Sequence, residues 1–332
     1  MSLRPKLACL LLVVATMGLP MLVGRGAFKA DRFDESLVEA LDKERPDLVL
    51  IGDSMLYTRL DRERLRTLAG ERRVSDFALG GSASAAWFLY FRNVVMAAAK
   101  PPGTVVFFFR DDIWSQPFLR TDGIRRETLR ELSRDLAADL AVVPGFSADG
   151  LSFHTLPRRL YPIVDFRSYL RGRISMAMQD VATGTGSKYP LMKARRDWFD
   201  LNNLRPDLPA ELPEAGIFHR SGRAEFDPSG TFLPSVFRSA GERGVKVILY
   251  RVKRRPDESG KRHEHPETVA YLDGLRKWVE EQGGLLIDES GDPALTLDLY
   301  QDGDHLRSNA RTGWTERFWV RLEPILEDGA RP

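Results

Sequence analysis

Three short stretches constrain this chain more than anything else: residues 47–51 (DLVLI), 104–109 (TVVFFF) and 245–250 (VKVILY). Each is almost uninterrupted apolar sequence, too short for a buried helix and without the alternation of a half-exposed strand. Such runs fit strands buried on both faces, the condition of a parallel sheet covered by helices above and below. Residues 74–79 and 285–288 are further strand candidates. Helical spacing covers 61–68, 84–99, 123–140, 267–282 and 310–326. This alternation predicts an α/β fold: a flavodoxin-like, doubly wound parallel sheet in three α/β/α layers, with sites at the strand C-terminal ends.

Two regions depart from that rhythm. Residues 142–235 are rich in Pro, Gly, Arg and isolated aromatics, and read as a long insertion between the third and fourth strands. At the other end, residues 7–24 form an uncharged apolar run of about 18 residues behind Arg4 and Lys6, near the minimum for spanning a bilayer. The expectation is a retained signal anchor within residues 1–30, a single-pass inner-membrane segment, with residues 31–332 as an extracytoplasmic (periplasmic) domain. A cleaved signal peptide and a buried core helix are the alternatives. Forty-nine basic against 47 acidic residues exclude the strong field of a nucleic-acid binder. Cys9 is the single cysteine and the five histidines are scattered, so no disulfide framework, metal site or cofactor is expected.

Three short motifs carry chemistry. Gly52-Asp53-Ser54 follows the first strand, placing a serine at the C-terminal edge of the sheet near a helix start; an ordinary capped turn would look the same. Asp302-Gly303-Asp304-His305 precedes the last helix. Asp302 and His305 are spaced so that a turn can bring carboxylate to imidazole, which a serine nucleophile needs as its base. A capped helix start with a solvated histidine is the plainer reading, and Asp304 is a worse-spaced rival to Asp302. Gly80-Gly81-Ser82 after the second strand offers backbone that a ligand can approach, or simply a turn. Lys253 to Arg255, with Lys261-Arg262, forms a basic cluster that reads as a solvated loop rather than a polymer contact.

In this order the motifs resemble those of the SGNH (GDSL-like) hydrolase superfamily, over roughly residues 47–112 and 240–326. The resemblance implies Ser54 as nucleophile, Gly81 as an oxyanion-hole donor, Asp302 as orienting acid and His305 as base. One block departs. Where the family usually has Gly-x-Asn-Asp, this chain has Phe109-Arg110-Asp111-Asp112. Arg110 is then expected to neutralise Asp111 or to donate to the oxyanion, with a structural Arg110–Asp salt link as the alternative. With the apolar run, the chain looks like the extracytoplasmic partners of membrane-bound O-acyltransferases. That likeness implies a polytopic membrane-bound O-acyltransferase as partner and a polysaccharide as acyl acceptor. An SGNH-type esterase or lipase, and a non-catalytic binding protein on the same fold, are the competing readings.

Overall fold

The computed structural model describes residues 33–121, 124–145, 225–259 and 264–328. Five parallel strands form the central sheet: β1 (Leu48–Gly52), β2 (Val74–Ala78), β3 (Thr104–Phe109), β4 (Lys246–Arg251) and β5 (Leu285–Asp288). Their order, β2-β1-β3-β4-β5, is the doubly wound arrangement the sequence predicts. The order reverses between β1 and β3, so the cleft beyond their C-terminal ends is where such folds bind ligands.

Period-two geometry divides the strands between two cores. Val49, Ile51, Val105, Phe107, Phe109, Val247 and Leu249 face one layer. Leu48, Leu50, Val106, Phe108, Ile248 and Tyr250 face the other. The first layer holds α1 (Glu35–Glu44), α4 (Ser84–Tyr90), α7 (Leu233–Glu242) and α8 (Pro266–Glu281). On the second lie α2 (Ser54–Arg59), α3 (Arg62–Ala69) and α9 (Arg311–Asp328). Every residue of α4 is buried, which explains its apolar circumference; the helix continues as a π turn over Phe91–Val95.

The helix expected over 123–140 is two helices, α5 (Ile124–Glu131) and α6 (Leu136–Leu140). The break has a local cause. Asp135 turns extended and caps α6, its carboxylate accepting the Ala138 N–H at 3.1 Å, while Ser133 donates to Asp139 at 2.5 Å. The stretch expected as an insertion, 142–235, lies mostly outside the described residues. Its last residues already belong to α7, which begins at Leu233 and packs on β4. The apolar run 7–24 also lies outside them. Among the described residues no helix is long and apolar enough to cross a membrane.

The Gly-Asp-Ser motif follows from close packing. A Cβ on Gly52 would stand 2.9 Å from Leu56 Cβ and 3.0 Å from Phe108 Cβ, so only glycine lets α2 leave the strand here. Asp53 then caps α2, accepting the Met55 N–H at 2.8 Å, and Ser54 becomes its first residue. At the far edge, ion pairs tie α9 and the β5 turn to the sheet. Arg251 reaches Asp288 at 3.0 Å and Arg321 reaches Asp292 at 2.6 Å. Burial opposes ionisation of both carboxyls, but the arginines and neighbouring hydrogen bonds outweigh it and hold both below the ordinary aspartate value.

Gly52→Ala is expected to cost about 1–3 kcal/mol, the range for overpacking a close contact, read as a lower urea midpoint at unchanged slope. A folded-state pKa below the unfolded one stabilises above the unfolded value. The stability from Asp288 and Asp292 is therefore complete above about pH 5 and lost as pH falls through their depressed values. Urea titrations from pH 6 downward on the protein and on Asp292→Asn should show the acid limb shallower in the variant.

Candidate active site

The two motifs that lie farthest apart in the chain meet. Ser54 Oγ lies 3.0 Å from His305 Nε2, across 251 residues of sequence. Ser54 reaches this point because α2 starts at the C-terminal end of β1. His305 reaches it because Asp302-Gly303-Asp304-His305 forms a tight hairpin rather than a helix start. β6 (Tyr300–Asp302) pairs antiparallel with β7 (His305–Leu306), and Asp302 is the backbone partner of His305. Gly303 takes φ +46° in the turn between them. The Asp302 side chain lies outside what the structure describes.

A single buried guanidinium joins the two halves. Arg59, with no exposed surface, closes α2. It donates to Asp304 O at 3.0 Å, to Lys253 O at 2.6 Å and to Met55 O at 3.4 Å. Lys253 O also accepts the Tyr300 hydroxyl at 3.1 Å, so the β4 loop and the hairpin share the anchor. Nearby, buried Glu289 accepts the Trp314 indole N–H at 2.7 Å. Burial raises the Glu289 carboxyl pKa, and the charge of Arg59 pulls against that rise.

Asp304 is held by arginines. Its carboxylate accepts Arg110 Nη1 at 2.5 Å, Arg254 Nε at 3.2 Å and the Arg255 N–H at 2.9 Å. Asp111 in turn pairs with Arg254 Nη1 at 2.8 Å. This corrects the expected pairing: Arg110 neutralises Asp304, and Arg254 neutralises Asp111. A structural salt link is therefore part of what Arg110 does, and its partner lies in the hairpin. Lys253 and Arg254 are not a solvated loop either. Lys253 is buried and donates to Asp292 O at 2.6 Å, and Arg254 bridges two carboxylates. Asp111 sits at φ +51°, the left-handed region that aspartate tolerates better than most residues, and its carboxylate meets Arg254.

The glycine turn also differs from expectation. Gly81 has φ +70°, and a Cβ there would stand 2.1 Å from Arg125 Nη2. The space that glycine leaves is taken by the Arg125 guanidinium, which donates Nη1 to Gly80 O at 2.9 Å. Arg120 donates to Ser82 O at 2.9 Å and stands 4.0 Å from Asp53 Oδ2, a buried oxygen without a hydrogen-bond partner. The turn is fastened to β1, since Leu79 N–H donates to Gly52 O at 3.1 Å. Burial lowers the Arg120 pKa; Asp53 works against that, and the charges of Arg110 and Arg125 add to it. Three guanidiniums therefore lie within electrostatic reach of one another. Among the described residues no His, Cys, Asp or Glu cluster could hold a metal ion.

Sequence reasoning missed Arg59, Arg120, Arg125 and the role of Arg254. In a chain with 49 basic residues, nothing in spacing separates a buried arginine from a surface one.

No family profile matches the sequence, and no curated protein does. A crystal structure of the Bacillus subtilis protein YXIM_BACsu is similar to this chain at a TM-score of 0.35 and 13% identity, over 84% of this chain and 56% of that one. The chain spans little more than half the length of that protein. A likeness this faint says nothing about chemistry.

Arg59→Met leaves Asp304 O without this donor and takes the shorter of two donors from Lys253 O. At about 1–3 kcal/mol for each buried group so affected, urea unfolding should show a loss on the order of 3 kcal/mol. Arg59→Lys should recover only part, because a point-like ammonium cannot bridge three carbonyls in one plane. A loss below about 1 kcal/mol, the level of an ordinary surface change, would mean that the clamp is not structural.

Proposed function

We propose that this chain is an SGNH-like serine enzyme that carries an acyl group on Ser54. The observation that carries the reading is the 3.0 Å contact between Ser54 Oγ and His305 Nε2. A serine hydroxyl becomes nucleophilic when a positioned base takes its proton as the bond forms, and this is the distance such a transfer needs. Ser54 Oγ attacks the carbonyl of an acyl ester while its proton passes to His305 Nε2. The tetrahedral oxyanion collapses, the leaving alkoxide takes that proton from His305, and the acyl group remains on Ser54. An incoming hydroxyl then gives its proton to His305 and attacks, and the second tetrahedral oxyanion collapses as Ser54 Oγ leaves and takes that proton back, releasing the acylated acceptor and restoring both residues.

Ser54 N–H, at the first position of α2, has no intrahelical partner by construction and serves as one oxyanion donor; Gly81 N–H is the second. Asp302, the hairpin partner of His305, is the orienting acid. Arg110 and Asp111 belong to the ion-pair frame that fixes the hairpin.

The acceptor we assign is a hydroxyl of a cell-envelope or exported polysaccharide. The donor is an acyl group supplied by a polytopic membrane-bound O-acyltransferase, with residues 7–24 holding the serine near the bilayer outside the cytoplasm. The apolar run behind Arg4 and Lys6, together with the motif resemblance, supports this part of the reading.

With p-nitrophenyl acetate and the full-length chain in detergent, Ser54→Ala and His305→Ala should each lower kcat on the order of 10⁴–10⁶-fold. Added oligosaccharide should accelerate nitrophenolate release and yield an acetylated sugar by mass spectrometry. Fast turnover indifferent to the acceptor would make the chain a hydrolase instead, and turnover unaffected by either substitution would end the serine mechanism.

A further inference from the structure

The turn after β2 is secured at both ends by bonds that leave its middle alone. Leu79 N–H donates to Gly52 O at 3.1 Å, and Ser82 N–H donates to Leu79 O at 3.0 Å. Ser82 O accepts from Arg120, itself paired with Asp53, at 2.9 Å. The bond from Ser82 N–H to Leu79 O makes this a β-turn with Gly80 and Gly81 at its centre. Gly81 has φ +70°, while Gly80 lies outside the positive-φ region. That pairing is a type II turn, which differs from type I by a flip of the central peptide. Here the central peptide is the one that joins Gly80 O to Gly81 N–H.

Side chains at the two central positions would restrict that choice, but glycine at both leaves either orientation open at little steric cost. Among the described residues Gly81 N–H has no acceptor, and the central peptide is held through Gly80 O, which accepts Arg125 Nη1 at 2.9 Å. Arg125 Nη2 lies against Gly81 in the space a Cβ would fill. A planar trans peptide sends its C=O and N–H to opposite sides, so the donor on Gly80 O also fixes where Gly81 N–H points. Flipping the peptide would turn Gly81 N–H toward the guanidinium. A charge-assisted hydrogen bond would give way to two donors facing each other.

We infer that Arg125 is a positioning residue for the reaction at Ser54: it latches the Gly80–Gly81 peptide in the orientation that keeps Gly81 N–H open to an oxyanion. Without the latch the peptide flips and the donor is withdrawn. The inference rests on the acyl-serine reading, with Gly81 as the second oxyanion donor.

The test uses the full-length chain in detergent with p-nitrophenyl acetate. Arg125→Met should lower kcat and kcat/KM together, about tenfold, with KM unmoved, because the withdrawn donor serves only the transition state. Arg125→Lys keeps a charged donor on the same helix and should retain more activity than Arg125→Met. Gly80→Pro added to Arg125→Met should recover most of the loss. Proline followed by glycine favours the type II turn without a latch, a Cβ at Gly80 meets nothing within 4 Å, and Gly80 N–H is not among the turn's donors. Recovery separates a latch from a guanidinium that touches the substrate or the oxyanion itself, since proline supplies no charge. Arg125→Met that turns over as the parent does, or that raises KM alone, overturns the latch. So does a proline variant that melts as Arg125→Met does and recovers nothing. If the proline variant melts well below Arg125→Met, the lysine variant decides, and a loss equal to that of methionine overturns the latch. In each of these cases turnover still depends on Ser54, and the acyl-serine reading stands. Turnover that survives Ser54→Ala overturns both.

Discussion

The geometry of this protein depends on one buried cation that binds carbonyls from three segments. Arg59 has no exposed surface, and its hydrogen bonds go to Met55 O and Sδ, Lys253 O and Asp304 O. Burying a guanidinium is expensive unless its donors are met, and here the Lys253 and Asp304 carbonyls accept from the two terminal nitrogens, while Nε stays buried without a hydrogen-bond partner. The carbonyls gain a charged donor and the guanidinium most of its partners. The hairpin that presents His305 has only a two-stranded ladder, too little to hold itself in water. Arg59 fixes that hairpin to the helix that begins with Ser54, so Ser54 and His305 are positioned from a common point.

Around this anchor the charges alternate. Arg110, Asp304, Arg254 and Asp111 form a chain of ion pairs, with contacts between 2.5 and 3.2 Å. The first pair is about nine-tenths buried, so removing one member would strand the other in a poorly solvated place. The alternation also suits the proposed reaction, in which an imidazolium and an oxyanion appear together a few ångströms apart. A rim built of both signs can stabilise each where it forms, whereas a rim of one sign would favour one and oppose the other.

How much of this could be read in the sequence follows from what each feature depends on. The strands were legible because burial on both faces leaves no polar position, and 104–109 matches its observed bounds. Ser54 and His305 were legible because each adjoins a recognisable apolar element. The motif pointed to a helix start near Ser54, but the extent of that helix was not legible, since six residues are too few to show a period. Arg110 lay in view, but its partner did not: Asp304 is 194 residues away, and a contact of that range has no local trace. Asp302 keeps its place through backbone pairing with His305, and its side chain lies outside what the structure describes.

Gly81 shows why a motif and its function can come apart. Read from sequence, a glycine beside a serine site means room for a ligand to reach the backbone. In the fold that room is filled by Arg125, whose Nη2 sits where the missing Cβ would be. The glycine is still required, by its φ of +70° and by the guanidinium above it, but an oxygen approaching this turn meets fixed N–H donors bearing full charge beside the neutral amide. A neutral amide donor stabilises developing charge without selecting the rest of the substrate. A guanidinium attracts negative charge before the reaction begins, so it acts on the ground state as well as on the transition state.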